Sequence, residues 1–441
     1  MVVLEEDPRR PEFLECGEGV VKSMNNRKEF IFPRRFFWGA STAAHQVEGG
    51  TTNDWSEWEK SEKRLKHLKK LKLIEQYGED NFISGMGTGH YTRFDGDFKM
   101  AKEMGHNATR FSLEWSRIEP EEGKFNEKEL EHYHDVIRSA RRNGLEPFVT
   151  IWHWPIPLWL RDKGGWNSKD APKYFARYAE RVIGVLGGDV KFWITLNEPQ
   201  VYTAESFLLG EWPPQKINPF SYLKVFHNLI KAHIAAYKII KKKHPAAQIG
   251  IASHNMHFDA SRRSLTGHIF KAAADWWWNF YFLGRISDYQ DFIGLNHYFH
   301  KKMDHWWSKK EKEIFSDMGW RLHPESMYHV LMDLRRFGKP IYITENGLAD
   351  AGDIKRPWFI VETLKQVHRA IENGVDVRGY LHWSLLDNFE WGEGFWPRFG
   401  LIEIDYRTLE RKMRPSAHLY RDICLRNGVT EELVERYKNL L

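Results

Sequence analysis

Ile194-Thr-Leu-Asn-Glu-Pro199 and Ile341-Tyr-Ile-Thr-Glu-Asn-Gly347 decide how this chain of 441 residues is read. Each is a short apolar, β-branched run that reads as a buried parallel strand, and each ends on a glutamate followed at once by strand-breaking residues. Glu198 and Glu345 are thereby placed at strand C-termini. In a parallel barrel that end is the face on which side chains converge on a ligand, whereas the opposite end serves stability. One glutamate there is an ordinary loop residue. Two, each beside an asparagine, point to paired-carboxylate chemistry of the kind that breaks a glycosidic bond.

Working outward from these two runs, six more strand-like segments appear. In chain order the set is Phe36 to Ala44, Asn107 to Leu113, Pro147 to Trp154, Phe192 to Leu196, Ile249 to Ser253, Phe292 to Tyr298, Pro340 to Thr344 and Val377 to Leu385. Helical patterns lie between them, among them Asn126 to Asn143, Ala171 to Leu186, Ser221 to His244, Pro324 to Phe337 and Trp358 to Asn373. Several close on a C-terminal signal such as Asn143-Gly144, Phe337-Gly338 or Asn373-Gly374. Eight βα units in one continuous chain predict a single (β/α)8 TIM barrel over residues 31–441, with residues 1–30 as an N-terminal extension.

Composition sets the class. A hydrophobic fraction of 42% supplies a large core, and the net charge of +5 is a small difference between 65 basic and 60 acidic residues, which does not call for nucleic acid. The two cysteines, Cys16 and Cys424, lie near opposite ends without metal-type spacing, so neither a disulfide scaffold nor structural zinc is expected. The first residues carry early acids and no apolar core segment, unlike a signal peptide, and no apolar run reaches membrane-spanning length. A cytoplasmic location is the expectation. Aromatic residues make up 15% of the chain, with 20 Trp, which suits both a large core and a site that stacks on the C–H faces of sugars.

The segment Glu57 to Gln76 breaks the rhythm, with Lys60, Lys63, Arg64, Lys66, Lys69, Lys70 and Lys72 around Leu65, Leu68 and Leu71. It reads as a solvated basic helix inserted after the first strand, rather than as a membrane surface or acidic-partner site.

The two glutamate motifs resemble the acid/base and nucleophile motifs of family 1 glycoside hydrolases, the β-glucosidase and β-galactosidase family. Other stretches carry the same resemblance: Phe37-Trp-Gly-Ala-Ser-Thr-Ala-Ala-His-Gln-Val-Glu-Gly49, Arg110-Phe-Ser-Leu-Glu-Trp-Ser-Arg-Ile118, His153-Trp154, Asp291-Phe-Ile-Gly-Leu-Asn-His-Tyr298 and Trp383-Ser-Leu-Leu-Asp-Asn-Phe-Glu-Trp391. They occur in order, each at a predicted strand end, from about Phe36 to the C-terminal region. The resemblance implies hydrolysis of terminal β-linked glucosyl or galactosyl residues with retention, needing no metal or organic cofactor, on a small β-glycoside or oligosaccharide. Retention requires one ionised and one protonated carboxylate about 5 Å apart. By resemblance Glu345 is the nucleophile and Glu198 the acid/base. Arg110 and Tyr298 would hold Glu345, and Asn197 would bond the sugar 2-hydroxyl.

The same transfer, residue by residue, assigns Gln46, His153, Trp154, Asn296, Glu390 and Trp391 to the nonreducing sugar. Trp383 becomes its stacking floor, with Phe399 nearby, and Trp320 the platform under the leaving group. Glu390 would repel a 6-phosphate, which favours unphosphorylated sugars. A neutral residue in place of Glu198 would have implied a thioglucosidase. A transglycosylase would share every residue named, whereas a sugar-binding protein without catalysis would be expected to have lost a carboxylate.

Three departures from the family pattern stand out. Pro155 follows the His-Trp pair where Asp is usual, and His297 stands where an aromatic residue is common, both expected at the rim of the site. The connection from Met256 to Asp291 is short. Its aromatics, among them Trp276, Trp277 and Trp278, are expected to close the gap as ordinary core, the alternative being an exposed apolar cleft beside the barrel.

Overall fold

The computed structural model describes residues 29–260, 264–303 and 313–438. The expected N-terminal extension over residues 1–30 therefore lies outside the described residues except for its last two. Of these, Phe30 pairs antiparallel with Val429, in a two-residue ribbon that ties the start of the barrel to its end.

Eight parallel strands close into a barrel: β1 (Phe37–Ser41), β2 (Ala108–Ser112), β3 (Glu146–Trp152), β4 (Phe192–Asn197), β5 (Gln248–His254), β6 (Ile293–Asn296), β7 (Ile341–Glu345) and β8 (Val377–Trp383). Each is followed by a covering helix: α1 (His90–Glu103), α2 (Glu127–Arg142), α3 (Ala171–Leu186), α4 (Pro219–Lys243), α5 (Leu265–Ala274), α6 (Ser326–Leu334), α7 (Arg356–Glu372) and α8 (Pro415–Arg426). The predicted (β/α)8 architecture is the one observed. Among the described residues no helix is long and apolar enough to cross a membrane.

The helices form for reasons visible in their residues. In α3, Phe175, Tyr178, Ala179, Val182, Ile183 and Leu186 are buried and recur at helical spacing, giving one apolar stripe against the barrel. Each large side chain in such a stripe contributes about 1.5–3 kcal/mol on burial. The Asn126 side chain caps α2 by accepting from Lys128 N at 3.1 Å, and Gly144 ends it in left-handed backbone (φ 72°) that a side chain would strain. At the N-terminal end of the barrel, Phe37, Phe148, Phe192, Phe292 and Tyr342 fill the lumen, with Phe148 and Phe192 stacked at 4.3 Å. This plug seals one end and leaves the other open.

Four strands end two or three residues before the C-terminal bound expected from the sequence. β1 stops at Ser41 and gives way to a helical turn, Ala44–Val47, while β3, β6 and β8 stop at Trp152, Asn296 and Trp383. After β3 and β6 the chain leaves the sheet where Trp154 and Tyr298 turn into the mouth of the barrel.

The basic segment also departs from expectation. It folds as three short helices, Asp54–Glu59, Glu62–Lys70 and Leu73–Tyr77, with left-handed Lys72 (φ 58°) breaking the last two apart. Leu68 is fully buried, and Arg64 is not solvated: its guanidinium lies 4.6 Å from the Trp58 ring centroid and donates to the Gly392 carbonyl. The lysines do face water, so the helix is a tether to the loop after β8 as well as a charged surface.

The short connection after β5 became core only in part: Phe282 is buried in the main core and Trp277, Trp278 and Tyr281 pack against it. Trp277 and Trp278 are half-buried but Trp276 is 57% exposed, in line with Leu265 and Ile269 on the outer face of α5 and its continuation. Next to it, His329, His257, His300 and His323 stack as a column, with successive ring centroids 4.5, 5.3 and 4.4 Å apart.

Candidate active site

Glu198 follows β4 and Glu345 ends β7, both at the open end of the barrel and both buried. The chain just after Glu345 must pass hard against β8, since a Cβ at Gly347 would collide with the Trp383 carbonyl. Glu198 sits in left-handed backbone (φ 41°), as do Trp154 (φ 84°) and Trp391 (φ 46°). Such conformations cost about 1–3 kcal/mol for residues with side chains and persist only where the surroundings enforce them. Pro199 after Glu198 starts a helix at once, its fixed φ and missing N–H suiting the first helical position.

The two carboxylates have different partners. Glu345 is ion-paired with Arg110, itself fully buried in the middle of β2, and its other oxygen accepts from the Tyr298 hydroxyl at 2.6 Å. Glu198 has no cation within ion-pair distance among the described residues and accepts from the Asn296 amide at 2.8 Å. Burial raises the Glu198 carboxyl well above its ordinary range, and the charge of Glu345 adds to the rise. A chain of amides joins the pair: Asn296 also donates to Asn197 Oδ1 at 3.2 Å, and that oxygen accepts from Arg110 at 2.6 Å.

Around the acids lies a pocket of about 300 Å³. His153, Trp154, Tyr298, Trp320, Trp383, Glu390 and Trp391 line it with the two glutamates, so most of the expected site residues meet in one place. Arg110, Asn197, Asn296 and Gln46 stand just behind that surface. Phe399 does not face the pocket; it packs 5.8 Å from Trp320, behind the platform. His297 is not at the rim either. It is buried, bonding Asn255 O and Ser326 Oγ at 2.7 Å each, and anchors the start of α6.

The polar groups are set for a ligand. Asn197 donates to His153 Nε2 at 3.0 Å, and burial together with the Arg110 charge keeps His153 neutral, far below its ordinary pKa. The remaining Nδ1 of His153 and the Oε1 of Gln46 have no protein partner, although both are buried. Gln46 spends its amide on Asn388 and Phe389, each at 2.8 Å, and lies 3.4 Å from Glu390. Burial, then the charges of Glu345 and Glu393, push Glu390 up to about 8.

Other lining residues were not anticipated: Val201, Glu205, Trp212, His254, Met256, Trp278 and Phe299. Burial and the neighbouring acids Glu211 and Glu393 raise Glu205 to about 7. The only sequence signal for it was its place seven residues after Glu198 on the same helical run. Among the described residues no group of three or more His, Cys, Asp or Glu could hold a metal ion.

The glycosyl hydrolase family 1 model matches residues 28–285 and 267–429. Beta-glucosidase A of Acetivibrio thermocellus is 34% identical over 91% of this chain and 99% of its own length. A β-galactosidase of Sulfolobus acidocaldarius is 31% identical, covering 91% of this chain and 96% of its own. Among solved structures, a β-glycosidase from Pyrococcus horikoshii superposes with a TM-score of 0.82 at 35% identity, over 93% of this chain and 98% of that one. A Thermotoga maritima β-glucosidase in complex with deoxynojirimycin gives 0.82 at 29% identity, over 91% and 100%. The chain is a β-glycoside hydrolase that belongs to glycosyl hydrolase family 1.

Proposed function

We propose that the enzyme removes terminal, non-reducing β-linked glucosyl or galactosyl residues with retention, through a glycosyl ester on Glu345. The observation that carries this reading is the unequal pairing of the two buried acids. Glu345 is bonded on one oxygen by a guanidinium and on the other by a phenol, so it is held as an anion aimed by two donors. Glu198, raised by burial and by that anion, is held as the acid that protonates the departing oxygen. When Glu345 becomes an ester its charge disappears, the second cause of the Glu198 shift is removed, and Glu198 can take a proton from the attacking water. The sugar hydroxyls would meet Gln46 Oε1, His153 Nδ1, Asn197 and Glu390 over the Trp383 face. Hydroxyls donating to Glu390 favour its ionised form, so sugar binding should draw that carboxyl down from about 8.

The β-glucosidase and β-galactosidase names of the relatives support tolerance of either O4 epimer. The test is a 2-deoxy-2-fluoro-β-glucoside with a good leaving group. Trapping should add one sugar mass to the peptide containing Glu345, and proton NMR of early product from an ordinary substrate should show the β-anomer first. A label on another residue, or α-anomer as first product, would overturn the assignment.

A further inference from the structure

A second cleft opens on the far side of the tryptophan wall of the catalytic pocket, with a volume of about 310 Å³ against about 300 Å³ for the pocket itself. The two share no lining residue. The wall between them is Trp55, Trp154 and Trp212, the Trp212 ring lying 5.3 Å from Trp55 and 4.4 Å from Trp154.

The lining of this cleft combines ring surface with groups that lack protein partners. Trp58, Trp166 and Tyr202 supply the rings. Asp54 lies in the lining, 4% exposed, accepting from Ile156 N at 2.8 Å and with no cation within ion-pair distance among the described residues. Burial pushes it up to about 7. Trp166 Nε1 and Asn167 Oδ1 are buried and bonded to no protein group. Each ligand class leaves a different remainder here. An apolar ligand would offer nothing to Asp54 or to the buried donor and acceptor. An anion would meet Arg161 and Lys216 in the lining but also the carboxylates of Asp54 and Glu57, so the balanced charges do not select a negative ligand. A neutral ring with C–H faces and several hydroxyls serves the indoles and the carboxylate together.

We propose that this cleft is a second carbohydrate site, which takes a free neutral monosaccharide of the kind the reaction releases. Only the identity of that sugar rests on the proposed function. The site is joined to the catalytic pocket through the chain. Asp54 and Pro213 line the cleft, while their neighbours Trp55 and Trp212 form the wall, and the Trp55 ring lies 4.7 Å from that of Trp391. A sugar seated here therefore acts on kcat as well as KM, unlike one that only competes for the pocket.

The experiment closes the first pocket with the 2-fluoroglucosyl adduct and then titrates glucose by calorimetry. The blocked enzyme should still bind one glucose per chain with millimolar affinity. Asn167→Phe, which fills the cleft, should weaken that binding at least about tenfold. Its kcat/KM on an aryl glucoside without added sugar should stay within about twofold of wild type, the site being remote from the carboxylates. Asp54→Asn keeps the acceptor for Ile156 N and should weaken glucose without unfolding the chain. A blocked wild-type enzyme that takes up no glucose, or an Asn167→Phe enzyme that binds it equally well, would overturn the proposal. So would binding of a Tris cation that excludes glucose, which would make this an amine site. If no adduct forms, it is the Glu345 reading that fails, and the cleft is then counted on untreated enzyme by the equivalent of glucose lost in Asn167→Phe.

Discussion

Tyr298→Phe removes one atom and probes how Glu345 is held. The hydroxyl donates to Glu345 at 2.6 Å, while Arg110 keeps the other carboxylate oxygen. Burial and the nearby charge of Glu345 hold the phenol well above its ordinary pKa, so it is a donor across the whole working range. A hydrogen bond to a charged group is worth about 1.5–3 kcal/mol, and about 1.36 kcal/mol corresponds to a decade in rate, so the variant should lose about 10- to 150-fold in kcat/KM. The ion pair survives, so the loss should stop far short of deleting the carboxylate. Initial rates on an aryl β-glucoside, with melting curves to show that the fold is intact, provide the measurement. A Tyr298→Phe enzyme within about twofold of wild type would refute the idea that this bond aims the nucleophile.

Three further outcomes are expected. Glu198→Ala should slow substrates with basic leaving groups by about 10²–10⁴-fold and activated phenols much less, and the basic limb of the pH profile should disappear; a surviving limb assigns it to another group. Wild-type enzyme should cleave β-glucosides and β-galactosides but scarcely any 6-phosphoglycoside, and Glu390→Gln should lower kcat as well as raise KM, because contacts far from the reacting carbon contribute at the transition state; efficient 6-phosphoglycoside cleavage would reject this. The third concerns acid stability. Burial, with help from neighbouring histidines, lowers His254 and His257 to about 3, and burial lowers His297 to about 4, from an ordinary 6.5. Below 6.5 the unfolded chain takes up protons that the folded one refuses, so stability is full above that pH and falls as pH drops toward 4 and 3. His257→Gln should flatten that fall in denaturant midpoints taken from about pH 7 to about pH 4; an unchanged slope would remove the column from the account.

The barrel was legible because each strand is a compact apolar run and each helix a stripe at helical spacing, properties carried by neighbours in the chain. Glu198 and Glu345 were legible for the same reason, each being the residue on which such a run ends. The misreadings share a different cause. Arg64 looked solvated because its partners, Trp58 and the carbonyl of Gly392, come from one nearby and one very distant segment. His297, Trp278 and the four stacked histidines take their roles from contacts between segments that follow different strands, which no local pattern encodes. The strand ends were overextended because the residues that turn into the mouth, such as Trp154 and Tyr298, are as apolar as those that stay in the sheet.

The aromatic plug at the base has a consequence for traffic. With Phe148, Phe192, Phe292 and Tyr342 packed into the lumen, the cylinder is a vessel with a single mouth. Substrate, water, aglycone and freed sugar must all pass the same rim, and on the proposed retaining route in sequence: the aglycone would have to clear before water reached the ester, and the sugar before another glycoside could enter. A sugar that lingers is then a stopper as well as a competitor, so turnover should respond to how quickly the mouth empties as much as to how fast the bond breaks.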